Sequence, residues 1–253
     1  MTRLLSPNIL LRYKYSIRNL KSDHRAIIPG YLLDKVIGRG TYGVVYKGKR
    51  IYDGKEVAIK ESMLNCYSNE LTALYSINHP NIVSLTTHFI KNDIIFLVFD
   101  SCCIPINDVS ELPLVKVVEG VLKAAVYLDS INICHGDWHS KNIVVGCDGE
   151  IKVTDFGCSY FNKDFVVRYH TTDEVDDSSV WGLKEAIYEK KGPEDDLRNL
   201  LYFIKQLIEN SVEFPIGNKF YQLIIETGDI RVLLNSLHYL KGIIYKPIEI
   251  KNE

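Results

Sequence analysis

The sequence predicts an α+β chain in two unequal parts: a small antiparallel sheet carrying one helix, followed by a larger, mainly helical region. Two textures and the seam between them predict it. From Tyr31 to Phe99, short β-branched and aromatic runs are broken by Gly, Asp and Asn, the punctuation of strands and turns. After about residue 105 the apolar residues instead recur at steps of three and four, the period of amphipathic helices. The seam falls near Phe99 to Pro105, and clefts between such parts are the usual place for a ligand.

Composition narrows the classes of function. The chain has 253 residues, 46% hydrophobic and 25% charged, which excludes a wholly disordered, collagenous or disulfide-framed chain. Thirty basic against 32 acidic side chains give a formal net charge of -2, so no global attraction to nucleic acid or an anionic membrane is expected. No apolar run approaches the roughly 18 residues of a membrane-spanning helix. Ser6, Pro7 and Asn8 interrupt the apolar N-terminal stretch, so a cleaved signal is not expected. Cys66, Cys102, Cys103, Cys134, Cys147 and Cys158 form no CxxC pair and have no zinc-ligand spacing. They read as free thiols of a reducing, intracellular and cytoplasmic setting.

The elements follow in order. Residues 1–30 carry six Lys or Arg against one acid, Asp23. They are either a basic arm for an acidic partner or an extension packing Leu10, Leu11, Ile27 and Ile28 on the body, and the second reading is preferred. YLLDKVIG, GVVYKGKRIY, KEVAIKE and DIIFLVF read as strands, with Asp53-Gly54 as a hairpin signal because both residues tolerate positive φ. A helix is expected over about 67–77, with Leu71, Leu74 and Ile77 on its apolar face and His79-Pro80 just beyond its end. Leu114, Val118, Val121, Ala125 and Leu128 define a long amphipathic helix. A second runs from about Glu194 to Glu209, and shorter ones lie near 218–226 and 229–239.

Gly38-Arg39-Gly40-Thr41-Tyr42-Gly43 lies between two strands, which argues against a dinucleotide fingerprint, since that motif opens a helix directly. A hairpin whose glycines lack Cβ can instead fold closely over phosphates. Val45 on the next strand would cover an adenine ring. Lys60 ends the strand Val57-Ala58-Ile59-Lys60, and Glu70 lies on the inward side of the following helix as its plausible partner. His135-Gly136-Asp137-Trp138-His139-Ser140-Lys141-Asn142 precedes Asp155-Phe156-Gly157. Two carboxylates and an amide on loops after apolar strands make a hard-oxygen set suited to Mg²⁺. Asp137 would orient and deprotonate a hydroxyl, while Asn142 and Asp155 hold the metal on phosphates.

The ordered set of glycine loop (38–43), VAIK (57–60), helix glutamate (70), HPNIV (79–83), HxDxxxxN (135–142) and DFG (155–157) resembles the eukaryotic-type protein kinases. The resemblance covers about residues 31 to 210. It implies a bilobal kinase-like fold: an extension (1–30), an N-lobe (31–99), a hinge (100–105) and a C-lobe (106–253). It implies ATP and Mg²⁺ as cofactors and a protein Ser/Thr hydroxyl as acceptor. Lys60 would bind the α/β-phosphates and pair with Glu70, Asp137 would be the catalytic base, and Asn142 and Asp155 would bind Mg²⁺. Gly38, Gly40, Gly43, Val45 and Ala58 would line the nucleotide site. Phe99 would be the gatekeeper, and Asp100 to Cys102 would hold adenine through the backbone.

Four departures qualify the resemblance. The loop between Lys60 and the Glu70 helix is short. Gly136 stands where most protein kinases have an arginine that reads a phosphorylated activation loop, so control by such a phosphate is not expected. His139 stands where Ser/Thr kinases usually carry lysine, and HGDxH resembles small-molecule kinases acting on aminoglycosides or choline. Those families usually lack a full glycine loop and DFG, both of which are present. A pseudokinase scaffold is the other alternative, although Lys60, Asp137 and Asp155 are all retained. Finally, no Ala-Pro-Glu follows DFG, and only 57 residues follow Asp196, so the helical lobe reads as shortened. The stretch beginning at Glu194 resembles the start of the long lobe helix in casein-kinase-1-like and vaccinia-related kinases, which implies that one of its two aspartates, Asp195 or Asp196 with Asp196 preferred, braces the catalytic loop backbone. Thr171, Thr172, Ser178 and Ser179 are candidate phosphorylation sites.

Overall fold

The computed structural model describes residues 28–40, 43–63, 68–91, 94–100, 103–109, 111–161, 166–167, 188–189, 192–211 and 218–245. The arm up to residue 27, Thr41, Tyr42, Cys66, Cys102 and the four candidate phosphorylation sites lie outside the described residues.

Strands β1 (Tyr31–Gly40), β2 (Gly43–Arg50), β3 (Glu56–Met63), β4 (Leu85–Lys91) and β5 (Ile94–Phe99) form one antiparallel sheet in the order β1-β2-β3-β5-β4. Four of the five are the β-branched runs expected from the sequence. The missed one is β4, LTTHFIK, an edge strand whose polar residues sit half-exposed. An edge strand packs only one flank, so its sequence need not be as apolar as β5, four of whose six residues are apolar and fully enclosed by 4% exposure or less. The hairpin between β2 and β3 stands where Asp53-Gly54 predicts it. Only Gly54 takes positive φ, at 71°; Asp53 works through its carboxylate, which accepts from the Lys55 N–H at 3.0 Å and pairs with Arg50.

Helix α1 (Ser68–Ser76) joins its Ala73 and Leu74 to the same core cluster as Leu97 and Phe99 of the sheet. The helical region contributes α2 (Leu114–Ser130), α3 (Pro193–Glu209), α4 (Lys219–Glu226) and α5 (Ile230–Asn235), within two residues of the expected starts except that the last pattern breaks into α5 and a 3₁₀ turn at Leu237–Leu240. Nine residues of α2 are buried, so it forms the axis against which the other helices pack. No helix among the described residues is long and apolar enough to cross a membrane.

The core does not divide where the sequence texture divides. One apolar cluster runs from Ala73, Leu74, Leu97 and Phe99 of the sheet part through Val118, Leu122 and Phe156 to Ile204 and Phe220. A smaller cluster of Ile28, Tyr31, Val57, Ile59, Phe96 and Val98 covers the other face of the sheet. Because strand side chains alternate, β3 sends Ala58 and Lys60 to the cleft and Val57 and Ile59 outward. The HPNIV segment joins the two parts. Asn81 donates to the Ile151 carbonyl at 2.8 Å, its own carbonyl accepts from Val153 N–H at 2.9 Å, and Val83 N–H donates to the Val153 carbonyl at 3.0 Å. These bonds fix the strand pair Ile143–Val145 and Ile151–Val153 beneath the sheet, and Asp155 follows two residues later.

Candidate active site

Strand register builds the ceiling of the cleft. Gly38 pairs with Val45, Val45 with Lys60, and Ala58 with Phe99, so these residues share the face that carries Lys60. A Cβ on Gly38 would lie 3.6 Å from the Val45 Cβ, standing in the cleft without a clash. Gly43 is required for another reason: a Cβ there would lie 2.2 Å from the Glu61 carbonyl, so β2 could not approach β3. Asp100 N–H donates to the Ser84 carbonyl at 3.1 Å, which leaves only the carbonyl of that residue for a ligand.

At the back of the cleft, Lys60 Nζ donates to Glu70 Oε1 at 2.8 Å, to Oε2 at 3.0 Å, and to Asp155 Oδ1 at 2.7 Å. Glu70 is 1% exposed. Its burial pushes the carboxyl above the ordinary range, and the Lys60 charge only partly pulls it back. Burial acts on Asp155 in the same sense, but there the Lys60 charge and hydrogen bond outweigh it and hold the carboxyl low. The backbone of Asp155 is left-handed, φ 62°, an unusual conformation for a residue with a side chain. Its carboxylate compensates by accepting from Gly157 N–H at 3.3 Å, while fully buried Phe156 packs edge-on against His135.

The loop from His135 to Asn142 forms the floor. Asp196, in the first turn of α3, accepts from His135 N–H at 3.0 Å and Gly136 N–H at 2.7 Å, so the expected brace is present. His135 is fully buried; its Nδ1 accepts from Asp137 N–H at 3.2 Å, so its Nε2 carries the proton and donates to the Thr154 carbonyl at 3.0 Å. Burial accordingly lowers its pKa. Gly136 has φ 79°, and a Cβ would lie 2.3 Å from the Cys158 carbonyl. This backbone accepts no side chain, so the missing arginine is a conformational feature of the loop.

Asn142 donates its Nδ2 to the Asp137 carbonyl at 2.9 Å and to Asp137 Oδ2 at 3.1 Å. Its amide oxygen is thereby turned away from Asp137. Burial would raise the Asp137 carboxyl; the His139 hydrogen bond, with the His139 and His135 charges and the Asn142 bond, outweighs it and keeps Asp137 below the ordinary carboxylate range. The Asn142 carbonyl also accepts from Thr154 N–H at 2.9 Å, tying the loop to the Asp155 segment. The sequence reading treats His139 only as a departure; the structure places its Nε2 3.2 Å from Asp137 Oδ2. A cleft lined by Asn107, His139, Ser140, Phe203, Leu207 and Tyr245 opens beside it.

Of the expected site residues, Lys60, Glu70 and Asp155 are in direct contact, as are Asp137 and Asn142. Among the described residues, no group of three His, Cys, Asp or Glu side chains is placed to hold a metal. One carboxylate (Asp155) and one amide oxygen (Asn142) match Mg²⁺, which usually takes one or two protein ligands and completes its shell with phosphate and water.

The chain is 34% identical over 176 residues to the serine/threonine-protein kinase pakF of Dictyostelium discoideum, covering 63% of this chain and 14% of that protein. It is 27% identical over 228 residues to the serine/threonine-protein kinase TIO of Arabidopsis thaliana, covering 74% of this chain and 17% of that protein. The chain thus spans less than a fifth of the length of these relatives. The protein kinase domain pattern matches residues 31–181, more than half of the chain, and the match includes every motif from the glycine loop to DFG. By that match and by the residues gathered around Lys60 and Asp137, the chain belongs to the eukaryotic-type protein kinase family.

Proposed function

We propose that this chain transfers the γ-phosphate of ATP to Ser/Thr hydroxyls of a protein substrate, with Mg²⁺, and without control by an activation-loop phosphate. The observation that carries the reading is the three-way contact of Lys60 with Glu70 and Asp155. A cation held between two carboxylates at the back of a glycine-roofed cleft is positioned for the α/β-phosphates. Val45, Ala58 and Phe99 would enclose the adenine, with the Asp100 carbonyl and the Cys102 backbone beside it. Gly38, Gly40 and Gly43 would cover the phosphates. Mg²⁺ held by Asp155 and Asn142 would neutralise charge on the phosphate oxygens. Asp137 accepts the hydroxyl proton as the acceptor oxygen bonds to Pγ; the bond from Pγ to the bridging oxygen breaks, and ADP leaves. The independence from loop phosphorylation is supported by Gly136, whose backbone leaves no room for an arginine.

The domain reading follows the same lines, with N-lobe 31–99, hinge 100–105 and C-lobe 106–253. A second reading, transfer to a small alcohol, is favoured by one observation: His139 touches Asp137, in the place where protein kinases usually present lysine. The deciding experiment offers labelled ATP and Mg²⁺ to the purified protein with casein, histone and a panel of small alcohols, alongside Asp137→Asn. Label on protein, absent in the control, is the expected result. Label on an alcohol alone would replace protein by small molecule, and ATP binding without transfer to any acceptor would make the chain a scaffold. Phosphatase treatment beforehand is expected to leave transfer intact.

A further inference from the structure

His139 makes no contact that the proton and phosphoryl transfers require beyond its bond to Asp137. Its ring closes the turn that follows it, with Nδ1 accepting from the Lys141 backbone N–H at 3.2 Å. A ring nitrogen that accepts a hydrogen bond carries no proton, so the proton sits on Nε2. That atom faces Asp137 Oδ2 at 3.2 Å. Asn142 Nδ2 lies 3.1 Å from the same oxygen and 3.2 Å from Nε2, so two donors converge on one acceptor and the last distance is the side between them. The position of the ring is secured from below: Asn107 donates to Ser140 Oγ at 3.2 Å, and the Tyr245 hydroxyl donates to Asn107 Oδ1 at 3.1 Å.

We propose that His139 is a positioning residue, whose Nε2–H holds Asp137 Oδ2 so that Oδ1 is presented to the acceptor hydroxyl. The proposal rests on Asp137 being the proton acceptor of the transfer. A carboxylate free to rotate presents either oxygen in many directions. Two donors fixed on one oxygen stop that rotation and leave the other oxygen for the acceptor hydroxyl. Orientation of this kind acts on the rate of the chemical step and leaves nucleotide binding alone.

Two near-isosteric replacements separate the turn-capping role of the ring from its donor role. Asparagine places an amide oxygen where Nδ1 stands, keeping the bond to Lys141 N–H, but does not reach Asp137. Glutamine extends an amide N–H to the place of Nε2 and abandons the cap. His139→Asn is expected to lower kcat about 10- to 100-fold with the KM for ATP within about twofold, and His139→Gln to stay within about threefold of the parent kcat. An active Asn variant beside an impaired Gln variant would make His139 a turn cap only and overturn the proposal. Equal kcat in all three proteins, or equal losses in both variants, would overturn it as well. A second readout needs no turnover. In protein labelled with ¹⁵N-histidine and free of nucleotide, His139 should show an unprotonated Nδ1 and a protonated Nε2, and the Nε2 signal should move in Asp137→Asn. The opposite tautomer overturns the inference directly. A parent protein with the expected tautomer that transfers phosphate to nothing would instead overturn the functional reading, and with it the catalytic sense of this bond.

Discussion

Lys60 and Asp155 meet across 95 residues of chain, whereas Asp137, His139 and Asn142 meet within five. The first contact set is ionic; Lys60 and Glu70 are almost without exposure, while Asp155 at its edge keeps 39%. The second is a network of directed hydrogen bonds in which the side chains of Asp137 and His139 keep 35% and 41% of their exposure. An enclosed ion pair tolerates no unpaired member, because a lone buried charge has neither water nor partner. A half-exposed carboxylate has water in reserve. On the proposed function, the Lys60 end of the cleft therefore couples function to stability, while the Asp137 end can lose function and leave the fold untouched.

The largest expected effects test that contrast directly. Lys60→Met and Asp137→Asn should each lower phosphoryl transfer by about 10³-fold. Only Lys60→Met should also lower unfolding stability, by about 3 kcal/mol, because it leaves Glu70 buried without its cation. Adding Glu70→Leu to Lys60→Met should restore stability but not transfer. Urea melts of the three variants beside transfer assays decide it, and equal stability in the two single variants would break the comparison.

Next in size is the brace under the floor. Asp196→Ala removes the acceptor of two backbone N–H groups, His135 and Gly136, and should cost about 2–4 kcal/mol. Asp196→Asn, with one acceptor oxygen left, should fall between the parent and Ala on the same melts. A neutral Asp196→Ala would mean that water satisfies the loop, and that the acceptor end depends on the fold even less than supposed.

The pH dependence is smaller and has a definite sign. Burial holds the His135 pKa below its ordinary value of 6.5, and His79 is shifted the same way by burial and then by the charges of Lys123 and Lys152. The unfolded chain therefore binds these protons at a higher pH than the folded chain does. The stability from the neutral rings is complete above 6.5 and is lost as pH falls below it. The melting temperature should decline on acidification through that window, and the His135 ring signals should show no titration at 6.5 in the folded protein. A ring that titrates there would place His135 in contact with water. The smallest effect concerns thiols. Cys147 is exposed, whereas Cys134, just before His135, is buried and its thiol is pushed up to about 12. Alkylation near neutral pH should label Cys147 and spare Cys134 until the protein unfolds, as peptide mass mapping would read.

How much was legible in the sequence follows from the range of each interaction. The four apolar strands, the long helices and the order of the motifs are written in local periodicity. Strand β4 was not, because an edge strand needs less apolar surface than a central one. The role of Asp53 was hidden for a similar reason, since a turn signal in the sequence does not say whether the backbone or the carboxylate makes the turn. His139 could have been found by its spacing, two residues from Asp137 and three from Asn142 in a tight turn, but spacing does not say which ring nitrogen faces the carboxylate. That was decided by the Lys141 N–H.

The sequence alone determined the chemistry on offer: a glycine hairpin, a strand lysine, a helix glutamate, and a loop carrying a carboxylate and an amide at a spacing that closes on itself. Tertiary structure decided which of those groups meet and in what charge state. Lys60, Glu70 and Asp155 converge only because one continuous core carries α1 and Phe156 against the sheet, with HPNIV pinning the strands that lead to Asp155. The reason is physical. A hydrogen bond within a turn depends on a few neighbouring dihedral angles, which local sequence specifies. The burial that pushes Glu70 upward, and the Lys60 charge that holds Asp155 ionised against the same effect, depend on everything packed around them.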